Sequence, residues 1–280
     1  MKKYIFLIFT VCFIASCYNQ TVKSQAVKLK LLKQTSAVYK TPESVIYNPK
    51  KNELYVSNIN GNPNRFDANG FISKMDKDGN VIQREWITGL NAPKGMAIWQ
   101  NYLFVTDIDR IVKIDIDSSK IVGSYKLQNA KFLNDMTVDA SGNIYISDMI
   151  GNKIYKFKDG KAQVWIASGL NSPNGMECDN RYLYIGNGGY LLQVNLQTKE
   201  TKMLYNKTGV IDGLKKDKYG NFLVSDWLGN ISLLANGKRT IIKKAKPKIN
   251  AADFELINDT LYVPTFIANS VEIYKVEYPK

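Results

Sequence analysis

Four oxygen-bearing side chains stand at matched places in a repeated frame: Glu43, Asn134, Asn174 and Asp212. Aligning the apolar residues Val45, Met96, Met136, Met176, Leu214 and Phe254 places Glu43, Lys94, Asn134, Asn174, Asp212 and Ala252 two steps before them. Two carboxylates and two amide carbonyls are hard oxygen ligands. They suit Ca2+, which takes ~6–8 oxygens at flexible geometry and leaves room for water or substrate. Mg2+ remains an alternative with stricter octahedral order. Zinc is a poor match, because the chain has no His and only three Cys. The pairs Asn174-Gly175 and Asp212-Gly213 also read as simple turn formers. Glu43 favours a site, since Glu is a poor turn former and occupies the same column. Lys94 in that column places a cation at the rim, either to hold an anionic substrate group or to balance the acidic ligands.

Converging six such positions requires a repeating scaffold. A strand-like run recurs as LYVSN at 54, LFVTD at 103, IYISD at 144, LYIGN at 183, FLVSD at 222 and LYVPT at 261, the last four starts lying 39 residues apart. Each run is rich in β-branched and aromatic residues, and further strand-like runs follow most copies after a turn. Six copies of this length predict an all-β, six-bladed β-propeller over 27–280. An extended β-solenoid is the weaker alternative, because its repeats are usually shorter. The extra length of the first copy falls in NINGNPNRFDANG, which reads as a loop. The final copy lacks one strand, and VKLKLL at 27–32 is expected to supply it and close the ring. Asn58, Asp107, Asp148, Asn187 and Asp226 end the recurrent strand in five copies and read as backbone-bonding, structural residues. The frame LNAPKGM at 90 and LNSPNGM at 170 would repeat because each blade needs the same incoming turn.

At these residues the sequence resembles the calcium-dependent six-bladed propellers that include gluconolactonase, regucalcin and diisopropyl fluorophosphatase. The matching motifs are PES at 42–44, FLND at 132–135, SPNG at 172–175 and VIDG at 210–213, in order and at blade spacing. The resemblance implies that Glu43, Asn174 and Asp212 hold the metal, that Asn134 contacts metal or substrate, and that Asp212 also has acid/base duty in lactone hydrolysis. Two features depart from the sugar-lactone members. Phe132 stands where they carry an Arg, and Ser44-Val45 replaces their Gly-Pro. The absence of His excludes the His-dyad mechanism of paraoxonase-like propellers.

The resulting expectation is a hydrolase of lactones or related esters, in which the metal polarises a carbonyl and Asp212 or Asp135 handles the proton. The alternative is a non-catalytic surface propeller that binds glycan, peptide or protein and uses Ca2+ as a brace. Lys2 and Lys3, an apolar run from Tyr4 to Phe13 and then Ile14-Ala15-Ser16-Cys17 describe a signal peptide over 1–16 with a lipobox. Cys17 is then the lipidated residue of a membrane-anchored protein of the bacterial cell envelope, and residues 17–26 form a tether. Cys178 is left as a lone packed thiol, with no disulfide framework. A formal charge of +13 is scattered apart from one cluster at Lys238–Lys248. It suggests no nucleic-acid partner, and the chain is expected to be a monomer acting on a small molecule.

Overall fold

A computed structural model of the chain describes residues 26–279. The signal peptide and Cys17 lie outside the described residues. Six antiparallel four-stranded sheets follow one another along the chain. Blade 1 runs through Pro42–Asn48, Glu53–Asn58, Gly70–Met75 and Val81–Leu90. The innermost strands of blades 2 to 5 are Pro93–Trp99, Leu133–Val138, Pro173–Cys178 and Ile211–Lys216. Among the described residues the only helix is the single 3-10 turn Phe266–Ala268.

The sixth sheet shows how the ring closes. Its inner three strands, Glu255–Ile257, Thr260–Pro264 and Val271–Glu277, come from the C-terminal end, and its outer strand, Lys28–Gln34, comes from the N-terminal end. Leu29 pairs with Val276 and Leu31 with Tyr274, as the missing strand required.

The core lies between the blades, because each sheet has an apolar face to bury against its neighbour. Each residue of the apolar column sits in a different one of six clusters and packs back onto the preceding blade. Met96 of blade 2 joins Tyr55, Ile72 and Trp86 of blade 1, where Tyr55 stacks on Trp86 with ring centroids 4.7 Å apart. Met136, Met176, Leu214 and Phe254 repeat this at the next four junctions. Val45 closes the circle by packing with Tyr262 and Ile273 of blade 6.

Candidate metal centre in the central channel

In blades 1 to 5 the frame that opens the blade is a bulged strand rather than a turn, whereas the short first strand of blade 6, Glu255–Ile257, pairs without a slip. Pairing slips between Pro42 and Val45, Pro93 and Met96, Leu133 and Met136, Pro173 and Met176, and Ile211 and Leu214. A bulge leaves residues out of the ladder and re-aims their side chains. Here it frees Glu43, Lys94, Asn134, Asn174 and Asp212, which all line one cavity of about 560 Å³. Glycine follows in three blades because the neighbouring strand is too close for a side chain. A Cβ on Gly175 would overlap the Asp212 carbonyl oxygen, and one on Gly95 would lie 2.6 Å from Asp135 Cα.

The strand-end column holds the segment that leads into each bulge. Asn58 Oδ1 accepts from Lys40 N at 3.0 Å, Asp107 Oδ1 from Ala92 N at 2.7 Å and Asn187 Oδ1 from Asn171 N at 2.7 Å. Asp148 accepts from Lys131 N at 3.0 Å and Phe132 N at 2.9 Å. Asp226 departs from the pattern, accepting from Asn230 N at 3.0 Å and pairing with Arg239 at 3.1 Å. This column is structural, as its chemistry suggested.

On the cavity floor Asn174 donates to Asp212 Oδ1 at 2.8 Å. Glu43 Oε2, Asn174 Oδ1 and Asp212 Oδ2 are buried without any hydrogen-bond partner. Leaving a buried acceptor unsatisfied costs ~1–3 kcal/mol, so three in one cavity call for a shared partner. Burial pushes the Asp212 carboxyl up to about 6, against the pull of the Asn174 bond. Burial also holds Glu43 well above the carboxylate range, with the Asp212 and Asp253 charges adding to it and Lys94 opposing. Among the described residues no three His, Cys, Asp or Glu side chains cluster at metal distance. A cation here therefore depends on amide oxygens as well as carboxylates. The donors present fit a hard divalent cation.

Lys94 is in the wall, not on the rim. It is 1% exposed, donates to Ala92 O at 3.0 Å and Pro63 O at 3.2 Å, and lies 4.5 Å from the centre of the Phe132 ring. Burial lowers its ammonium to about 8, while Glu43 and Asp107 hold it up. Asp135 does not line the cavity. Its Oδ1 accepts from Met136 N at 2.7 Å and its Oδ2 from Met176 N at 2.5 Å, which ties blade 3 to blade 4. A group that handles protons must reach the reacting atoms, and Asp135 is placed as a brace instead. Deeper in the channel Ser44 donates to Asp253 Oδ2 at 2.6 Å, and Lys215 stands 3.4 Å from Glu177 and 3.8 Å from Glu255. Cys178 is unpaired, and burial first, then nearby Asp139, pushes its thiol up to about 12, which suits a packed and unreactive side chain.

Above this polar floor the walls are apolar: Ile59, Phe132, Met149, Val210, Trp227 and Phe266. Apart from Phe132 and Val210, which fall in the motifs FLND and VIDG, sequence reasoning missed them. The signal was available in the repeat, because Ile59, Met149, Trp227 and Phe266 each directly follow the residue that ends the recurrent strand. Apolar side chains are unusual in such turns.

Fold and site together define the class as a six-bladed β-propeller with an oxygen-rich channel floor beneath an apolar cavity. The fold is that of the gluconolactonase-like propellers. No protein-family model and no curated protein matches the chain. Among solved structures it is similar to a gluconolactonase from Xanthomonas campestris, with a TM-score of 0.68, 16% identity and 90% of each chain covered. It is also similar to virginiamycin B lyase from Staphylococcus aureus in complex with quinupristin, at TM-score 0.63 and 15% identity over 90% of this chain and all of that one. That lyase structure carries a catalytically inactive variant in which a histidine is replaced by alanine. A chain of a nidogen–laminin complex aligns at TM-score 0.65 and 16% identity, over 74% of this chain and 86% of its own length.

Proposed function

We propose that this protein is a calcium-dependent hydrolase of lactones or related esters that acts on a small molecule in the central channel. The observation that carries the reading is the set of three partnerless buried oxygens, from blades 1, 4 and 5, on the floor of one cavity. Glu43, Asn174 and Asp212 would hold the ion, with Asn134 beside them; Mg2+ is the alternative occupant. Calcium, when bound, supplies Lewis-acid assistance to the ester carbonyl. Asp212 is oriented through Oδ1 by the Asn174 amide, and its carboxylate takes the proton from the attacking water and passes it to the departing alkoxide oxygen as the ester C–O bond breaks. Asn134 orients a polar oxygen of the substrate. Lys94, held by two backbone carbonyls, offsets the charge of Glu43 rather than travelling to the substrate. The apolar walls limit water around the reacting group.

Lyase chemistry has less support. The lyase that this fold resembles is inactive when one histidine is lost, and this chain has no histidine. The second reading, a surface propeller that binds a glycan, peptide or protein and uses the cation as a brace, draws on the shared fold of the nidogen–laminin chain. Export and lipid anchoring at Cys17 in the cell envelope belong to the same proposal and rest on residues 1–17 alone.

Lactones and esters of several ring sizes, assayed with calcium and then with EGTA, test the hydrolase reading. Turnover should vanish in EGTA and return with calcium, and Asp212→Asn should lower kcat by ~10²–10⁴. Asn134→Ala should act mainly on KM. If no substrate is turned over while calcium still stabilises the fold, the braced binder is the better description.

A further inference from the structure

We propose that the cavity selects lactones or esters bearing an apolar ring or chain over polyhydroxylated ones, and that Trp227, Phe266 and Phe132 set this preference. The turnover part of this inference rests on the hydrolase reading above.

The division of the cavity is the first observation. Its polar groups, Glu43, Asn134, Asn174 and Asp212, form the floor, where they serve one metal and one carbonyl. Lys94 has committed donors to Ala92 O and Pro63 O. The walls above offer one side-chain hydrogen-bond donor, the Trp227 indole N–H, whereas Ile59, Phe132, Met149, Val210 and Phe266 carry none. A sugar lactone there would lose water from its several hydroxyls and find only that one donor, which is unfavourable. An alkyl or aryl substituent would gain from the same transfer.

Backbone strain is the second observation. Phe266 has φ of 41° and Ile108, which packs with Ile59 beside it, has φ of 62°. Bulky and β-branched residues rarely adopt this left-handed conformation. Such outliers persist where surrounding structure maintains them, and they cluster at functional sites. Phe266 is itself a wall residue, and Ile108 lies behind the wall, packed with Ile59 and Phe266.

Exposure is the third. Trp227 meets Phe266 edge to face with centroids 4.5 Å apart, yet Trp227 remains 43% exposed and Val210 52% exposed. An apolar substituent on the substrate would cover both.

Two six-membered lactones separate the possibilities, since δ-decalactone carries a pentyl chain where D-glucono-δ-lactone carries a hydroxymethyl group, and it lacks the ring hydroxyls of the sugar lactone. With the calcium-loaded protein, kcat/KM for δ-decalactone should exceed that for the sugar lactone by at least about tenfold, a difference typical of one well-filled apolar subsite. Trp227→Ala and Phe266→Ala should each lower kcat/KM for δ-decalactone by about tenfold or more, mostly through KM. Trp227→Phe should retain most of it, and the calcium-induced rise in Tm should survive in all three variants. Equal or faster turnover of the sugar lactone, or unchanged KM in both alanine variants, overturns the proposal and leaves the hydrolase reading standing. Calorimetry with 3-pentylcyclohexanone, a ketone of the same ring and chain that cannot be hydrolysed, covers the case in which neither lactone reacts. Binding that Trp227→Ala weakens would then uphold the apolar site while the hydrolase reading falls. Absence of ketone binding, or tighter binding of D-glucono-δ-lactam, would overturn the apolar site as well.

Discussion

At the scale of single residues, the two oxygen-bearing columns differ in what their oxygens already hold. Asp148 accepts three backbone N–H groups, from Lys131, Phe132 and Gly151, whereas Glu43 and Asp212 each keep a buried oxygen unpartnered. A ligand that binds only the folded state stabilises it by about 2.7 kcal/mol at a hundredfold excess over Kd. Calcium should therefore raise Tm in the wild type, and Glu43→Gln or Asp212→Asn should blunt the rise. Asp148→Asn should lower Tm with the calcium increment intact. Thermal melts with and without calcium check this, and equal increments in all three variants would contradict the column assignment. The carboxyl groups also predict a pH dependence in the calcium-free protein. Burial pushes Asp212 up to about 6 and Asp253 up to about 7, from an ordinary value of 3.8. The native state then holds protons that the unfolded chain has released. This contribution to stability is full below about pH 4 and is lost as pH rises through 6 and 7. In EGTA, Tm should fall between pH 5 and pH 7.5, and calcium should recover most at the upper end. A Tm that rises over that interval in EGTA would contradict the burial of these groups.

At the scale of the element, the bulge at the head of the innermost strand in blades 1 to 5 is the device that makes the site. In blades 2, 4 and 5 it needs glycine where neighbouring strands meet. Gly175 has no room for a methyl group against the Asp212 carbonyl, and Gly213 would place one 2.7 Å from Phe254 Cδ1. Gly175→Ala should cost ~1–3 kcal/mol through overpacking and should also weaken calcium binding, because the strand it displaces carries Asp212. Gly169→Ala is a different case. Its Cβ meets nothing within 4 Å, but its φ of 82° strains any side chain, so it should lower Tm without changing the calcium increment. Denaturant unfolding together with calcium titration separates the two effects. The strand-end Asp and Asn residues work at this scale too, since they tie down the backbone two or three residues ahead of the site residue in blades 1 to 4.

At the scale of the whole molecule, stability depends on closing the ring. The strand Lys28–Gln34 covers the edge of Val271–Glu277, and Leu29 packs beside Tyr274 and Val276. Removing residues 1–34 would leave an unpaired edge, which invites association with other chains. The truncated protein should melt more than ~5 °C lower, given ~2–4 °C per kcal/mol in a domain of this size. Light scattering should report aggregation, and unchanged melting would show that the closing strand is dispensable. Anchoring belongs to this scale as well. Fatty-acid labelling should tag the wild type and not Cys17→Ser, and equal labelling would rule out the lipobox.

The repeat itself was legible in the sequence. Spacing near 39 residues, the apolar column from Val45 to Phe254 and the missing last strand determined the blade number and the partner of residues 27–32. They did so because every blade meets the same packing demands. Comparing copies also separated Asp148 from Asp212, since a residue common to most blades serves the blade and a variable one is free to differ. What the side chains face was decided only by the tertiary structure. The bulges, invisible in an Asn-Gly or Asp-Gly pair, turned an apparent turn into a strand and sent alternate residues to different layers of the channel. Asp135 thus became a bridge between blades, although it adjoins Asn134. Lys94 moved from an expected rim into the wall, where two carbonyls and the Phe132 ring surround its ammonium. The apolar walls arise from turns distant in sequence, Trp227 and Phe266 meeting Ile59 and Met149 only when six sheets close around one axis. Local pattern reports which residues are apolar or charged, but a shared cavity depends on how the ring is closed.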